Sequence, residues 1–149
     1  MDRLLILLVV VGTVALACGA FRLAARRRLA RLRREDAPAG AHTPLHGVAQ
    51  PGRPALLYFT TEQCAQCKYQ QAPILEQLGR QVDVAIHKLD AIEQEALTRL
   101  FGIMTVPATV VLDAHLKPVA VNHGLAPLVK LRAQVDEEVK RSLAAIVEE

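Results

Sequence analysis

Residues 60–70, "TTEQCAQCKYQ", set Cys64 and Cys67 three positions apart where an apolar run gives way to a polar, helix-favouring one. The run before them, "ALLYFT" (55–60), reads as a buried strand, and "AQCKYQQAPILEQLGR" (65–80) has helical character with an internal Pro73. Cys64 is therefore expected at the start of a helix that follows a strand. Unsatisfied backbone N–H groups and the positive end of the helix dipole favour thiolate over thiol there. A second cysteine one helical turn on can attack a mixed disulfide formed on the first and release a reduced substrate. Two other uses of the pair stay open: half of a zinc or copper site, and a structural crosslink. A zinc site needs four ligands, so His42 and His46 would have to join the cysteines, yet they sit among prolines and glycines. A structural disulfide is disfavoured if the domain is cytosolic, where thiols are kept reduced.

Working outward, "VDVAIHKLD" (82–90) alternates as a strand does, and "IEQEALTRLFG" (92–102) reads as a short helix closed by Gly102. "PATVVLD" (107–113) is β-rich, "AHLKP" makes a turn, and "VAVNHG" (119–124) is a further strand. From Pro127 on, Leu128, Leu131, Val135, Val139, Leu143 and Ile146 form a helical stripe that would cover one sheet face. The order is β-α-β-α-β-β-α: a βαβ unit, hence a parallel pair, followed by a closing hairpin. His87 and His123 in strands, His115 in a turn and the "DEEVKR" run (136–141) read as ordinary surface residues.

This order, with "CAQCK", Pro73, "MTVPATVVLD" and Gly124 before the last helix, resembles the thioredoxin superfamily over about residues 53–147. The resemblance implies an α/β fold with a central mixed sheet flanked by helices, and thiol-disulfide oxidoreductase activity with no cofactor. It implies Cys64 as the attacking and Cys67 as the resolving cysteine, with a cis peptide bond before Pro107. It also gives a substrate-binding set of Gln63, Thr105, Val106 and Pro107, in which the Val106 backbone pairs with the substrate chain as a short added strand. Lys88 and Tyr58 take supporting places, Lys88 at the position of a buried lysine near the cysteines. The chain departs from the family in four ways. Gln63 replaces the usual Trp, Ala65-Gln66 replaces Gly-Pro, and Tyr58 stands where thioredoxins carry a buried acid, leaving that role to Glu62, to water or to no group. One extra residue between Cys67 and Pro73 is expected to be taken up as a π-bulge. The implied partners are protein disulfides and a redox partner, either a reductase or a membrane electron carrier.

Residues 4–21, "LLILLVVVGTVALACGAF", carry no charge, and 18 residues at a rise of about 1.5 Å reach roughly 27 Å, close to a bilayer's hydrocarbon thickness. A signal peptide or a lipoprotein site at Cys18 competes with a span, but seven arginines follow between Arg22 and Arg34. Arginines beside a span stay in the cytoplasm, which predicts a retained single-pass anchor in the plasma or inner membrane with the following domain cytoplasmic. The exported alternative would be re-reduced by a membrane electron carrier, in work such as cytochrome maturation. Those arginines exceed the whole formal charge of +3, so the rest of the chain is mildly acidic. They meet lipid headgroups most simply, and with 3% aromatic residues and no Trp nothing points to nucleic acid. The expected organisation is an anchor over 1–25, a basic segment and Pro/Gly-rich linker over 26–54, and a thioredoxin-like domain over 55–149. The alternative function is a redox-inactive or metal-binding module that docks partners at the membrane.

Overall fold

The computed structural model describes residues 2–34, 45 and 47–147. Its elements are α1 (Asp2–Arg34), β1 (Ala55–Thr60), a π-turn (Cys67–Gln71) running into α2 (Ala72–Gln81), β2 (Ala85–Asp90), α3 (Glu95–Phe101), β3 (Ala108–Leu112), β4 (Pro118–His123) and α4 (Leu128–Val147). The four strands form one mixed sheet in the order β2-β1-β3-β4. β1 and β2 run parallel, from Ala55 opposite Ala85 to Thr60 opposite Asp90. β3 is antiparallel to β1, with Phe59 opposite Ala108, and β4 returns along β3, with Ala108 opposite His123.

β1 is buried on both faces, and its period of two divides the core. Ala55, Leu57 and Phe59 join Ala108, Val110 and Leu112 against Leu97 and Phe101 of α3. Leu56 and Tyr58 join Val111 against Leu75 and Leu78 of α2 and Leu131 and Val135 of α4. Leu128 and Val139 flank the second cluster as the stripe requires, whereas the side chains of Leu143 and Ile146 lie outside the described residues. On this second face Asn122 donates to Thr109 Oγ1 at 3.1 Å and exchanges amide bonds with Gln134 at 2.9 and 3.2 Å. That network gives β3 and β4 a satisfied polar contact to α4.

Several boundaries differ from expectation for physical reasons. α3 starts at Glu95 rather than at Ile92, because the Asp90 carboxylate accepts the N–H groups of Ile92 and Glu93 and holds them in a turn. Its end is as expected: Gly102 adopts φ 69°, and Ile103 N–H returns to the Thr98 carbonyl. Leu45 and Ala49, inside the segment expected as a linker, are buried in the α3-side cluster, so packing begins before Ala55. The rest of that segment, 35–44 with His42, and also His46, lies outside the described residues. α1 continues through the arginines as one helix, and its window Leu7–Ala24 is long and apolar enough to be a membrane span or a signal sequence.

Candidate active site

Strand direction gathers the site at one end of the sheet. The carboxyl ends of β1, β2 and β4 and the start of β3 all lie there, since Thr60 faces Asp90 and Ala108 faces both Phe59 and His123. The turn after β1 closes with Cys64 N–H on the Thr61 carbonyl, and the first helical bond runs from Lys68 N–H to the Cys64 carbonyl. Cys64 therefore occupies the helix start that the sequence predicts.

Cys64 and Cys67 are joined as a disulfide, S–S 2.01 Å, with Cα atoms 5.2 Å apart. They are not equivalent: Cys64 is half-buried, while Cys67 is 1% exposed within the α2–α4 cluster. The Cys67 N–H points at the Cys64 sulfur, 3.1 Å away, so a backbone donor already faces the atom that would carry charge on reduction. Val106 packs against both core clusters and shares the α2–α4 one with Cys64, and the Val106-Pro107 peptide bond is cis, as the resemblance implied. Thr105 and Gln63 are exposed beside them in sequence, and Pro107 is buried.

The helix after Cys67 opens with the expected π-turn. Ala72 N–H, five residues on, bonds the Cys67 carbonyl. The same carbonyl accepts the buried Tyr58 hydroxyl at 2.9 Å. Tyr58, expected at the place of the family's acid, is thus a hydrogen-bond donor to backbone. Burial raises its pKa, the Thr60 hydroxyl offsetting part of that, and the phenol stays protonated at neutral pH. Glu62 is exposed. Lys88 corrects an expectation: it is exposed, not buried. It sits on the edge strand β2 opposite Tyr58, at the rim of a shallow apolar hollow of about 270 Å³ against α2, from which its stem reaches water.

The residues that sequence reasoning missed are apolar and exposed. Tyr69, Ile92, Met104 and Leu125 are 70, 73, 81 and 40% exposed. They come from the π-turn and from the segments after β2, before β3 and after β4, all at the dithiol end of the sheet. For Leu125 alone the sequence offered a signal, a large apolar residue directly after a loop-breaking glycine, "GLA". Gln71, fully buried, was missed as well. Of the metal alternative, His42 and His46 lie outside the described residues. Among the described residues no three His, Cys, Asp or Glu side chains group as a metal site would need. His87 lies toward the other end of β2, lining a hollow of about 420 Å³ with Arg53 and Gln50, and its Nε2 is buried without a partner among the described residues.

A half-buried and a buried cysteine, bonded to each other at the start of a helix on the carboxyl end of a central strand, define the class of two-cysteine redox domains. The family model Thioredoxin matches residues 45–137, and the chain belongs to the thioredoxin family. Solved structures agree. A single-site mutant of thioredoxin from Halobacterium salinarum NRC-1 is 27% identical, with TM-score 0.57 over 64% of this chain and 83% of that one. Thioredoxin 1 from Thermosipho africanus TCF52B is 19% identical, with TM-score 0.50 over 59% of this chain and 97% of that one. MTB dsbF, in mixed oxidised and reduced forms, is 20% identical, with TM-score 0.50 over 58% of this chain and 81% of that one. The last two show the fold alone. No curated protein matches the chain. A thioredoxin domain bearing the Cys64–Cys67 pair supports a function of the thiol-disulfide oxidoreductase type.

Proposed function

We propose that the chain is a membrane-anchored thiol-disulfide oxidoreductase that exchanges its Cys64–Cys67 pair with disulfides of protein partners. The observation that carries the reading is the asymmetry of the pair: Cys64 is accessible and faced by the Cys67 N–H, and Cys67 is buried beneath it. In the reduced chain the Cys64 thiolate attacks one sulfur of a partner disulfide, forming a mixed disulfide and expelling the partner's other sulfur as thiolate. Cys67, its proton lost to solvent, then attacks the Cys64 sulfur, re-forming the intramolecular disulfide and releasing the partner's second thiolate. The partner gains two electrons and the pair loses two, to be restored by a reductase or a membrane electron carrier. Partners dock on the Val106 backbone, flanked by Thr105, Pro107 and Gln63, within the apolar rim of Tyr69, Ile92, Met104 and Leu125.

The anchor is α1, retained as a single span with the arginines and the domain on the cytoplasmic side. The exported reading places the domain on the other side of the membrane, re-reduced there by a membrane electron carrier. Single cysteine variants test the chemistry: Cys67→Ser is expected to accumulate mixed disulfides with proteins and Cys64→Ser to abolish reduction without trapping. Equal trapping by both would overturn the assignment of roles.

A further inference from the structure

We infer that Gln71 is a positioning residue that fixes the loop after β4 against the dithiol helix and so sets how a partner docks. The inference rests on the proposed exchange with protein disulfides. Gln71 ends the π-turn that Cys67 begins, on a face whose other inward residues, Cys67, Leu75 and Leu78, are apolar. A buried amide in such a place must satisfy both its donor and its acceptor. Both go to one residue 55 positions away: Gln71 Oε1 accepts Ala126 N–H at 2.8 Å, and Gln71 Nε2 donates to the Ala126 carbonyl at 3.2 Å. The side chain thus acts as one rung of a ladder, tying the widened turn to the backbone of a residue that is itself 1% exposed.

Ala126 lies in the short loop between β4 and α4, where few local backbone bonds are available. Gly124 has φ 76°, a conformation that L side chains rarely adopt, and Pro127 offers no N–H. Between Gly124 and the pinned Ala126 stands Leu125, part of the apolar rim at the dithiol end. Ala126 shares its buried cluster with Cys67, against which Cys64 and Val106 pack. Fixing Ala126 therefore fixes the height of Leu125 relative to the Cys64 sulfur. The two sulfurs themselves need none of this, because the Cys67 carbonyl is held independently by Ala72 N–H and Tyr58. Docking and chemistry should separate when the clasp is cut.

Gln71→Met keeps length and volume and removes both bonds; Gln71→Glu, assayed at a pH where it is ionised, keeps the acceptor for Ala126 N–H and loses the donor. In the full-length chain in detergent, amide hydrogen exchange at Ala126 should be as slow as in β1 and β3 for the native protein and faster by about 100-fold in Gln71→Met, with the strands unchanged. The KM for insulin disulfides should rise by about tenfold with kcat within a factor of about two, while the rate with the small disulfide DTNB stays within a factor of about two. Gln71→Glu should fall between. Fast exchange at Ala126 in the native protein, needing no variant to fold, overturns the clasp, as does equal slowing of insulin and DTNB. A native chain that reduces neither substrate sinks the exchange reading, and Ala126 protection then still decides whether Gln71 pins the loop.

Discussion

Tyr58→Phe isolates one hydrogen bond at the base of the dithiol helix. The ring stays in the α2–α4 cluster and only the hydroxyl that donates to the Cys67 carbonyl is lost. That carbonyl keeps the Ala72 N–H, so it is not left as a buried orphan, and the full desolvation penalty of an unsatisfied acceptor does not arise. What remains is the net value of one buried hydrogen bond, about 1 kcal/mol. For a domain of this size that lowers the thermal midpoint by about 4–8 °C. Tyr58→Ala removes the ring too and should cost about 3–5 kcal/mol, as large aromatic truncations do. A second signature comes from alkaline pH. Burial raises the Tyr58 pKa, so between the unfolded value and the higher folded one the native state holds a proton that the unfolded state has lost. Its contribution is complete below the unfolded value of about 10 and is lost as pH climbs toward the folded one, and Tyr58→Phe should flatten that alkaline decline. Thermal unfolding by circular dichroism from neutral to alkaline pH measures both effects. An unmoved midpoint, or a loss as large as that of Tyr58→Ala, would refute the reasoning.

Three further outcomes follow from other parts of the fold. Burial, with the Arg53 charge adding to it, lowers the His87 pKa, so the unfolded state takes up the proton first as pH falls. Stability should therefore decline below about pH 6.5, and His87→Phe should flatten that acid limb in denaturant titrations from pH 7 to 5. Asn122→Ala strands Thr109 and Gln134, and should cost about 1–3 kcal/mol by denaturant unfolding, whereas at neutral pH Arg53→Ala, which breaks an exposed pair with Asp83, should cost under about 1 kcal/mol. The full-length chain should stay with membranes after carbonate washing; recovery of a mass starting at Cys18 or Gly19 would contradict the retained span.

Much of this was legible because local chemistry and tertiary role coincide. β1 announces itself as an uncharged run before the cysteines, Gly102 stops α3 where a left-handed residue is required, and Leu128, Leu131, Val135 and Val139 keep the spacing of a helix on a sheet. The extra residue before Pro73 foretold the π-turn, since an added residue in a helix has few other places to go. What was not legible depends on neighbours distant in sequence. The burial of Leu45 and Ala49 is set by the face of the sheet they meet, not by their Pro/Gly-rich surroundings. Lys88 reaches water because β2 is an edge strand, and strand order is not written in β2 itself. Gln71 looks like a surface glutamine until Ala126, 55 residues on, arrives as its partner. The rim of Ile92, Met104 and Leu125 exists only once three separate loops reach the same end of the sheet.

The central claim is that Cys64 and Cys67 pass between dithiol and disulfide at the expense of a protein disulfide. The direct measurement mixes the reduced full-length chain in detergent with insulin, quenches in acid at intervals, alkylates all free thiols and maps the labelled peptides by mass spectrometry. The account predicts that label disappears from Cys64 and Cys67 together while it appears, thiol for thiol, on the insulin chains, with Cys18 labelled throughout. Cysteines that keep their label while insulin stays oxidised, or insulin reduced with the pair unchanged, would contradict it.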